Sequence, residues 1–255
     1  MQLKAKTILI TGGASGIGLE AARQFLAGEA RVIITGRSQE KLEAAKKMYP
    51  ALMAIKSDVS DADDALRLFR KVQELGGIDI LYNNAGVLTG GLNLGVPNDK
   101  HFDDAAYEMN VNYLGVIRLN NLFMEMLKSR REGAIINTTS ILSYVPSLME
   151  ATYSASKVAL RFYTESLRRH VQIGPSNLKV FELLPPVVAT EMTAARSDKK
   201  ITAEKLVKAL IAGIRKDQYT IRVGDTKPLY IFSRFFPKVA FGLVNPKKSY
   251  QVLQR

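Results

Sequence analysis

The sequence predicts an α/β chain whose strands share one parallel sheet, and three observations carry that expectation. Short β-branched runs alternate with amphipathic helical stretches from about residue 6 to residue 223. A glycine-rich turn joins the first of these runs directly to a helix. The residues able to do chemistry fall where strands end or where the following helices begin, which is where parallel sheets bind ligands. At 255 residues the chain can bury a full core. Its 47% apolar and 24% charged residues are ordinary for a globular protein, so composition gives no reason to expect disorder.

Lys6-Thr7-Ile8-Leu9-Ile10-Thr11 reads as a buried strand. Gly12-Gly13-Ala14-Ser15-Gly16-Ile17-Gly18 follows, and then a helix with Leu19, Ala22, Phe25 and Leu26. Glycines let the backbone turn tightly and approach a pyrophosphate, and the helix N-terminus offers free N–H groups and the positive end of its dipole. The spacing is Thr-Gly-x-x-x-Gly-x-Gly, not the commoner Gly-x-Gly-x-x-Gly. Residues 30–35 form a second strand that ends at Gly36-Arg37. An acid just past this strand would bind a ribose 2′-hydroxyl, whereas an arginine accommodates a 2′-phosphate. Arg37 stands there with no acid before Glu40, which favours NADP over NAD. A helix is expected over 38–48 and a strand over 51–56. Asp58, with Val59 beside it, follows that strand and could bond an adenine amine or simply close a turn. Ser60 is expected to cap the next helix, with Asp63 and Asp64 in its first turn and Arg67, Arg70 and Lys71 later.

The strand 78–82 runs into Asn83-Asn84-Ala85-Gly86, whose small and amide side chains permit close backbone approach. Residues 102–130 read as a long helical stretch, and Asn112 inside it is unfavourable by propensity, which points to a role. The strand 133–139 delivers Ser140 at its carboxyl end. A helix from near Thr152 to Gly174-Pro175 then carries Tyr153 and Lys157 one turn apart on one face. A phenol with its ordinary pKa of about 10 is a poor proton carrier near neutrality. An ammonium beside it favours the phenolate, so the pair can exchange a proton with an alcohol or carbonyl. The strand 178–184 meets Pro185-Pro186-Val187-Val188-Ala189-Thr190, and a helix at 202–216 and a strand at 219–223 complete the alternation.

Thr11-Gly12-x-x-x-Gly16-Ile17-Gly18, Asn83-Asn84-Ala85-Gly86, Asn112, Ser140 and Tyr153-x-x-x-Lys157 occur together and in order. With them the chain resembles the short-chain dehydrogenase/reductases over residues 6 to about 224. The resemblance implies a single Rossmann-type, doubly wound domain with a seven-stranded parallel sheet flanked by helices. It also implies NAD(P)-dependent interconversion of an alcohol and a carbonyl. In that scheme Tyr153 exchanges the proton, and Lys157 lowers its pKa and holds the nicotinamide ribose. Ser140 holds the substrate oxygen, and Asn112 anchors a water linking Lys157 to solvent. Gly12, Ser15, Gly16, Ile17, Gly18, Arg37, Asp58, Val59, Asn84, Ala85 and Gly86 line the cofactor together with Tyr153 and Lys157. Pro185 lies above the nicotinamide, while Val188 and Thr190 meet its carboxamide end. The family usually has Pro-Gly after the sixth strand, so Pro185-Pro186 is a departure that stiffens this loop. Pro-Pro with the following Val-x-x-Thr-Glu-Met resembles a little-characterised bacterial branch of the family.

Leu88, Leu92, Val145, Leu148, Met149 and Met192 flank the chemistry and are expected to line a partly apolar substrate pocket, with about 190–216 as a substrate loop or lid. The second departure is the tail. Asp225 is the last acid, and residues 226–255 mix Lys227, Arg234, Lys238, Lys247, Lys248 and Arg255 with many aromatic and aliphatic side chains. Such a stretch could pack on the domain, close over the substrate, meet a second subunit or lie on an anionic membrane. The net charge of +12 is spread in blocks of at most two Lys or Arg, which argues against a nucleic-acid partner. The absence of cysteine removes disulfides, thiolate metal sites and a cysteine nucleophile, and no metal is expected. Neither a signal segment nor a transmembrane helix is expected. A cytoplasmic homodimer or homotetramer acting on a small carbonyl or alcohol is the resulting expectation. The alternatives are an NAD-dependent alcohol dehydrogenase and a non-catalytic cofactor-sensing or scaffold protein.

Overall fold

The computed structural model describes residues 1–91, 93–174, 176–194, 199–247 and 250. Leu92, Pro175, Lys248, Arg255 and part of the 190–216 segment lie outside them. Seven strands alternate with helices: β1 (Thr7–Ile10), β2 (Arg31–Gly36), β3 (Met53–Lys56), β4 (Ile80–Asn83), β5 (Ala134–Thr138), β6 (Lys179–Leu184) and β7 (Thr220–Arg222). They form one parallel sheet in the order β3-β2-β1-β4-β5-β6-β7. Ile8 of β1 pairs with Val32 of β2 on one side and Ile80 of β4 on the other, so the order reverses at β1. Reversal leaves a crevice beyond the carboxyl ends of β1 and β4, because the connecting helices leave in opposite directions.

The period-2 alternation of strand side chains divides the core into two layers. Ile8 and Ile10 face one layer, with Val32, Ile34, Ile136 and Phe181; Leu9 faces the other, with Ile33, Ile135 and Phe123. All of these are fully buried, and each contributes roughly 1.5–3 kcal/mol of transfer free energy. The first layer is closed by α1 (Gly16–Ala27), α2 (Gln39–Met48) and α7 (Ala203–Arg215). The second is closed by α3 (Ala62–Glu74), α5 (Gly115–Lys128) and α6 (Ala151–Ile173).

One local expectation is corrected. Ser60 does not cap α3, because its N–H and hydroxyl both donate to the Asp58 carboxylate, at 2.9 and 2.6 Å. The cap is Asp61, whose side chain accepts the N–H of Asp64 at 2.7 Å. The stretch 102–130 is helical as expected, with one local departure from α geometry. α4 (Lys100–Met109) passes through a π-helical turn, Asn110–Leu114, before α5. The widened turn holds Asn112, which is fully buried. The tail forms two short helices, α8 (Thr226–Phe235) and α9 (Pro237–Val244), with Pro237 in the first turn of α9, where its missing N–H costs nothing. Among the described residues no helix is long and apolar enough to cross a membrane.

The cap assignment is open to test by urea unfolding. Asp61→Ala should lower stability by about 1 kcal/mol, the usual cost of a lost N-cap. Ser60→Ala should cost less than half of that, and the reverse ranking would restore Ser60 as the cap.

Candidate active site

The glycine turn after β1 is fastened to the segment after β4. The Thr11 hydroxyl accepts the N–H groups of Asn84 and Ala85, each at 3.0 Å. The Asn84 amide donates to the carbonyls of Thr11 and Gly12, at 3.1 and 3.2 Å. Gly12 has φ +62°, and a Cβ there would lie 2.9 Å from the Ala85 Cα. A Cβ on Gly18 would lie 2.2 Å from the Gly12 carbonyl oxygen. Only glycine therefore lets the first turn of α1 close down on the loop. The free N–H groups of that turn are left at one wall of a cavity of about 710 Å³.

That cavity runs from Gly12, Ser15, Gly16 and Ile17 past Arg37, Asp58 and Val59 to Asn84, Ala85, Gly86 and Thr190. Gly18 lies behind the wall and shapes it through the turn. Arg37 reaches across the cavity edge, donates to the Tyr107 hydroxyl and lies over that ring, 5.8 Å from its centre. Ser38 and Lys41 stand next to it, and Lys41 forms an ion pair with Glu191 from the segment after β6. One oxygen of Asp58 is held by Ser60 while the residue still lines the cavity. A dinucleotide fits this lining: a glycine cradle with no room for a side chain, a helix N-terminus, and a basic end.

A smaller cavity of about 130 Å³ shares Ile17, Asn84, Gly86, Thr190 and Met192 with the first, so the two are continuous. Ser140, Tyr153, Lys157, Pro185 and Val188 line it. Lys157 is only 3% exposed, its Nζ donates to the Thr138 carbonyl at 3.0 Å, and it lies 5.6 Å from the centre of the Tyr153 ring. Burial pulls the Lys157 pKa down to about 8, and the Glu108 carboxylate offsets part of that fall. The Ser140 hydroxyl accepts the N–H of Leu142 at 3.1 Å, which leaves its own proton to donate. The Ile141 N–H donates to the Pro185 carbonyl at 2.9 Å, tying the proline pair to the Ser140 segment.

Sequence reasoning singled out Asn83 and Asn112 but missed the partners through which they position this apparatus. A ladder of buried amides crosses the sheet: Asn83 donates to Asn120 and Asn137 at 2.8 and 2.9 Å, and Asn137 donates to Thr164 at 2.9 Å. It fixes α6 against β4, β5 and α5. Asn112 binds both main-chain groups of Val87, at 2.9 and 3.0 Å, and donates to the Ser156 hydroxyl at 3.0 Å. Ser156 in turn donates to the Tyr153 carbonyl at 2.8 Å. Glu108, one turn before Asn112, is 1% exposed. One of its oxygens accepts the N–H and hydroxyl of Thr89, at 2.8 and 2.9 Å, and the other has no hydrogen-bond partner. A charged residue at a core-facing helical position was the available signal for Glu108. Ser156 and Thr89 left none.

Of the expected pocket residues, Leu88 and Met192 line the smaller cavity. Val145 is a correction: it is buried against Leu229 and Ala240 of the tail, because the chain turns away from the cavity after Ser143. The Leu148 N–H is taken by Asn245 at 2.7 Å, and Met149 lies against Gly91 rather than in the cavity lining.

Residues 6–201 match the family model described as short chain dehydrogenase. The chain is 31% identical over 228 residues to "Uncharacterized oxidoreductase DltE" of Bacillus subtilis, covering 87% of this chain and 89% of that protein. It is 33% identical to the "NADPH-dependent 1-acyldihydroxyacetone phosphate reductase" of Schizosaccharomyces pombe, over 73% of this chain and 61% of that one. A short chain dehydrogenase from Burkholderia cenocepacia, solved in complex with NADP, superposes with a TM-score of 0.84 at 26% identity, over 96% of this chain and 99% of that one.

The depressed Lys157 pKa has a measurable consequence. Between about pH 8 and the ordinary 10.5 the native chain has released this proton and the unfolded chain has not, so native stability rises with pH across that window. The unfolding free energy of the wild type, measured against Lys157→Met, should therefore rise from pH 8 to pH 10.5, by at most about 1.4 kcal/mol per pH unit. Glu108→Gln should extend the window to lower pH while its upper edge, set by the unfolded lysine, stays in place. A difference independent of pH would remove the shift from Lys157.

Proposed function

Because the chain belongs to the short-chain dehydrogenase family, we propose that it is an NADP(H)-dependent reductase interconverting a carbonyl and an alcohol, with Tyr153 as the proton-exchanging group. Membership makes it an oxidoreductase using a nicotinamide cofactor. The observation that carries the finer reading is the meeting of Tyr153, Lys157 and Ser140 in a small cavity that opens into the glycine-walled cleft.

In this reading the first turn of α1 and the loop Gly12–Gly18 hold the pyrophosphate. Asp58 and Val59 face the adenine, Asn84, Ala85 and Gly86 the middle of the cofactor, and Pro185, Val188 and Thr190 the carboxamide end. The bound nicotinamide supplies the hydride, which no side chain can do. Ser140 donates its O–H to the substrate oxygen and holds it against Tyr153. In reduction the Tyr153 hydroxyl gives its proton to that oxygen, and in oxidation the phenolate takes it back. Lys157, anchored on the Thr138 carbonyl, keeps a positive charge beside the ring and favours the phenolate. Asn112 holds Val87 and, through Ser156, the first turn of α6, so Tyr153 and the Gly86 segment keep their separation.

The case for NADP is Arg37, with Ser38 and Lys41 beside it; among the described residues the one acid at that end, Glu191, is paired with Lys41 and leaves the guanidinium uncompensated by a carboxylate of the β2 loop. Release from the Tyr107 hydroxyl would free the guanidinium for a 2′-phosphate, which it can bind through two N–H groups. Among the relatives one is named for NADPH and another was solved with NADP, while two further solved structures hold NAD or NADH, so the choice of NADP rests on Arg37.

Thermal unfolding with NADP(H) or NAD(H) tests the cofactor. Binding to the native state raises the midpoint, and NADP(H) should raise it further. Arg37→Asp should reverse that order; an unchanged order would take Arg37 out of the reading. Tyr153→Phe should keep the NADP(H) shift and lose roughly 10²–10⁴-fold in turnover against a panel of carbonyls. Full activity in that variant would exclude Tyr153 as the proton donor. No shift with either cofactor would favour the non-catalytic alternative.

A further inference from the structure

α8 and α9 form an elbow that shows different side chains on its two sides. The inner side is packed: Leu229 and Ala240 are buried with Val145, against Ile141, Tyr144 and Phe241. Asn245 pins the far end by accepting the Leu148 N–H at 2.7 Å and donating to the Pro146 carbonyl at 2.9 Å. Arg222 lies 4.0 Å from the centre of the Tyr230 ring and donates to the Tyr144 hydroxyl at 2.8 Å. The elbow is therefore a fixed part of the domain.

The outer side is apolar and exposed. Ile231 (54%) and Phe235 (71%) stand one turn apart on α8, and Val239 (51%) and Leu243 (60%) one turn apart on α9. Phe232 and Phe236, with ring centres 6.4 Å apart, join the two stripes at the bend. Single exposed apolar residues are normal, but a group joined across two helices is not. Exposed cations surround it at Lys227, Arg234, Lys238 and Lys247, and no acid occurs anywhere after Asp225.

We propose that the outer side of the α8–α9 elbow docks on the surface of an anionic lipid bilayer. Phe235 and Phe236 enter the boundary between headgroups and acyl chains, and Arg234 and Lys238 meet lipid phosphates. Charge selects this occupant. A twofold contact between two copies would set the same cations against each other with no acid of the elbow to pair them. An anionic lipid surface complements both the cations and the apolar stripe. Two short helices bent at Pro237 lie flat on a fluid surface without needing register, whereas a protein groove would demand a continuous stripe. Docking there sets the segment after Ser140, on which the elbow rests, beside the bilayer.

Sedimentation of the full chain with vesicles tests this. Vesicles containing phosphatidylglycerol should carry the protein down, vesicles of phosphatidylcholine alone should not, and added salt should weaken the binding. Phe235→Ser with Phe236→Ser should reduce partition at least tenfold, and Arg234→Gln with Lys238→Gln roughly thirtyfold. An unchanged thermal midpoint would establish that both variants remain folded. The proposal is overturned by absence of binding to anionic vesicles, or by undiminished binding of both variants. It is equally overturned if light scattering finds an oligomer that Phe235→Ser with Phe236→Ser dissociates while vesicle binding is absent, since the face would then join copies of the chain.

Discussion

The site depends on one buried charge. Lys157 keeps an ammonium where almost no water reaches it, and an uncompensated ion in such a place costs several kcal/mol. Two groups offset that cost: the Thr138 carbonyl at the end of β5, and the carboxylate of Glu108 on α4. Compensation works only if β5, α4 and α6 converge to within hydrogen-bonding or close electrostatic range. The amide ladder, the π-helical turn and the Asn112 contacts all serve that convergence. The position of Tyr153 follows, because it precedes Lys157 by one turn of the same helix.

The two halves of the cleft are built from different material. The glycine-walled half is largely backbone: turned N–H groups, carbonyls capped by Asn84, and contacts that exclude a Cβ. The half lined by Ser140, Tyr153 and Lys157 is built from side chains, each held by a second residue. Ser140 is held by Leu142, Lys157 by Thr138, and the Tyr153 turn by Ser156. A backbone site can serve any ligand that carries the same phosphates. A side-chain site tunes to a reaction.

That difference explains what was legible in the sequence. Gly12, Gly16 and Gly18 could be read because only glycine meets the local backbone demand, and Tyr153 and Lys157 because their helical spacing is fixed. The seven strands could be read because both faces of the sheet are buried and the runs are apolar. Glu108, Thr89, Ser156 and the partners of Asn83 could not, since their importance comes from contacts across 19 to 54 residues of chain. Ser60 and Asp61 are neighbours with equal capping ability, and the choice between them was made by Asp58. Val145 looked like a pocket residue because it follows Ser140, but the tail claims it.

The amide ladder also bears on how such a chain can change over time. Asn83 donates to Asn120 and Asn137, and Asn137 to Thr164, in the dry interior, so replacing any one of them strands a neighbouring polar group without its partner. Single substitutions there are penalised even where a pair or triple of replacements would be tolerated. The ladder therefore acts as a ratchet on the lineage. Surface loops and the substrate lining can drift one residue at a time, while these four positions must move together or stay.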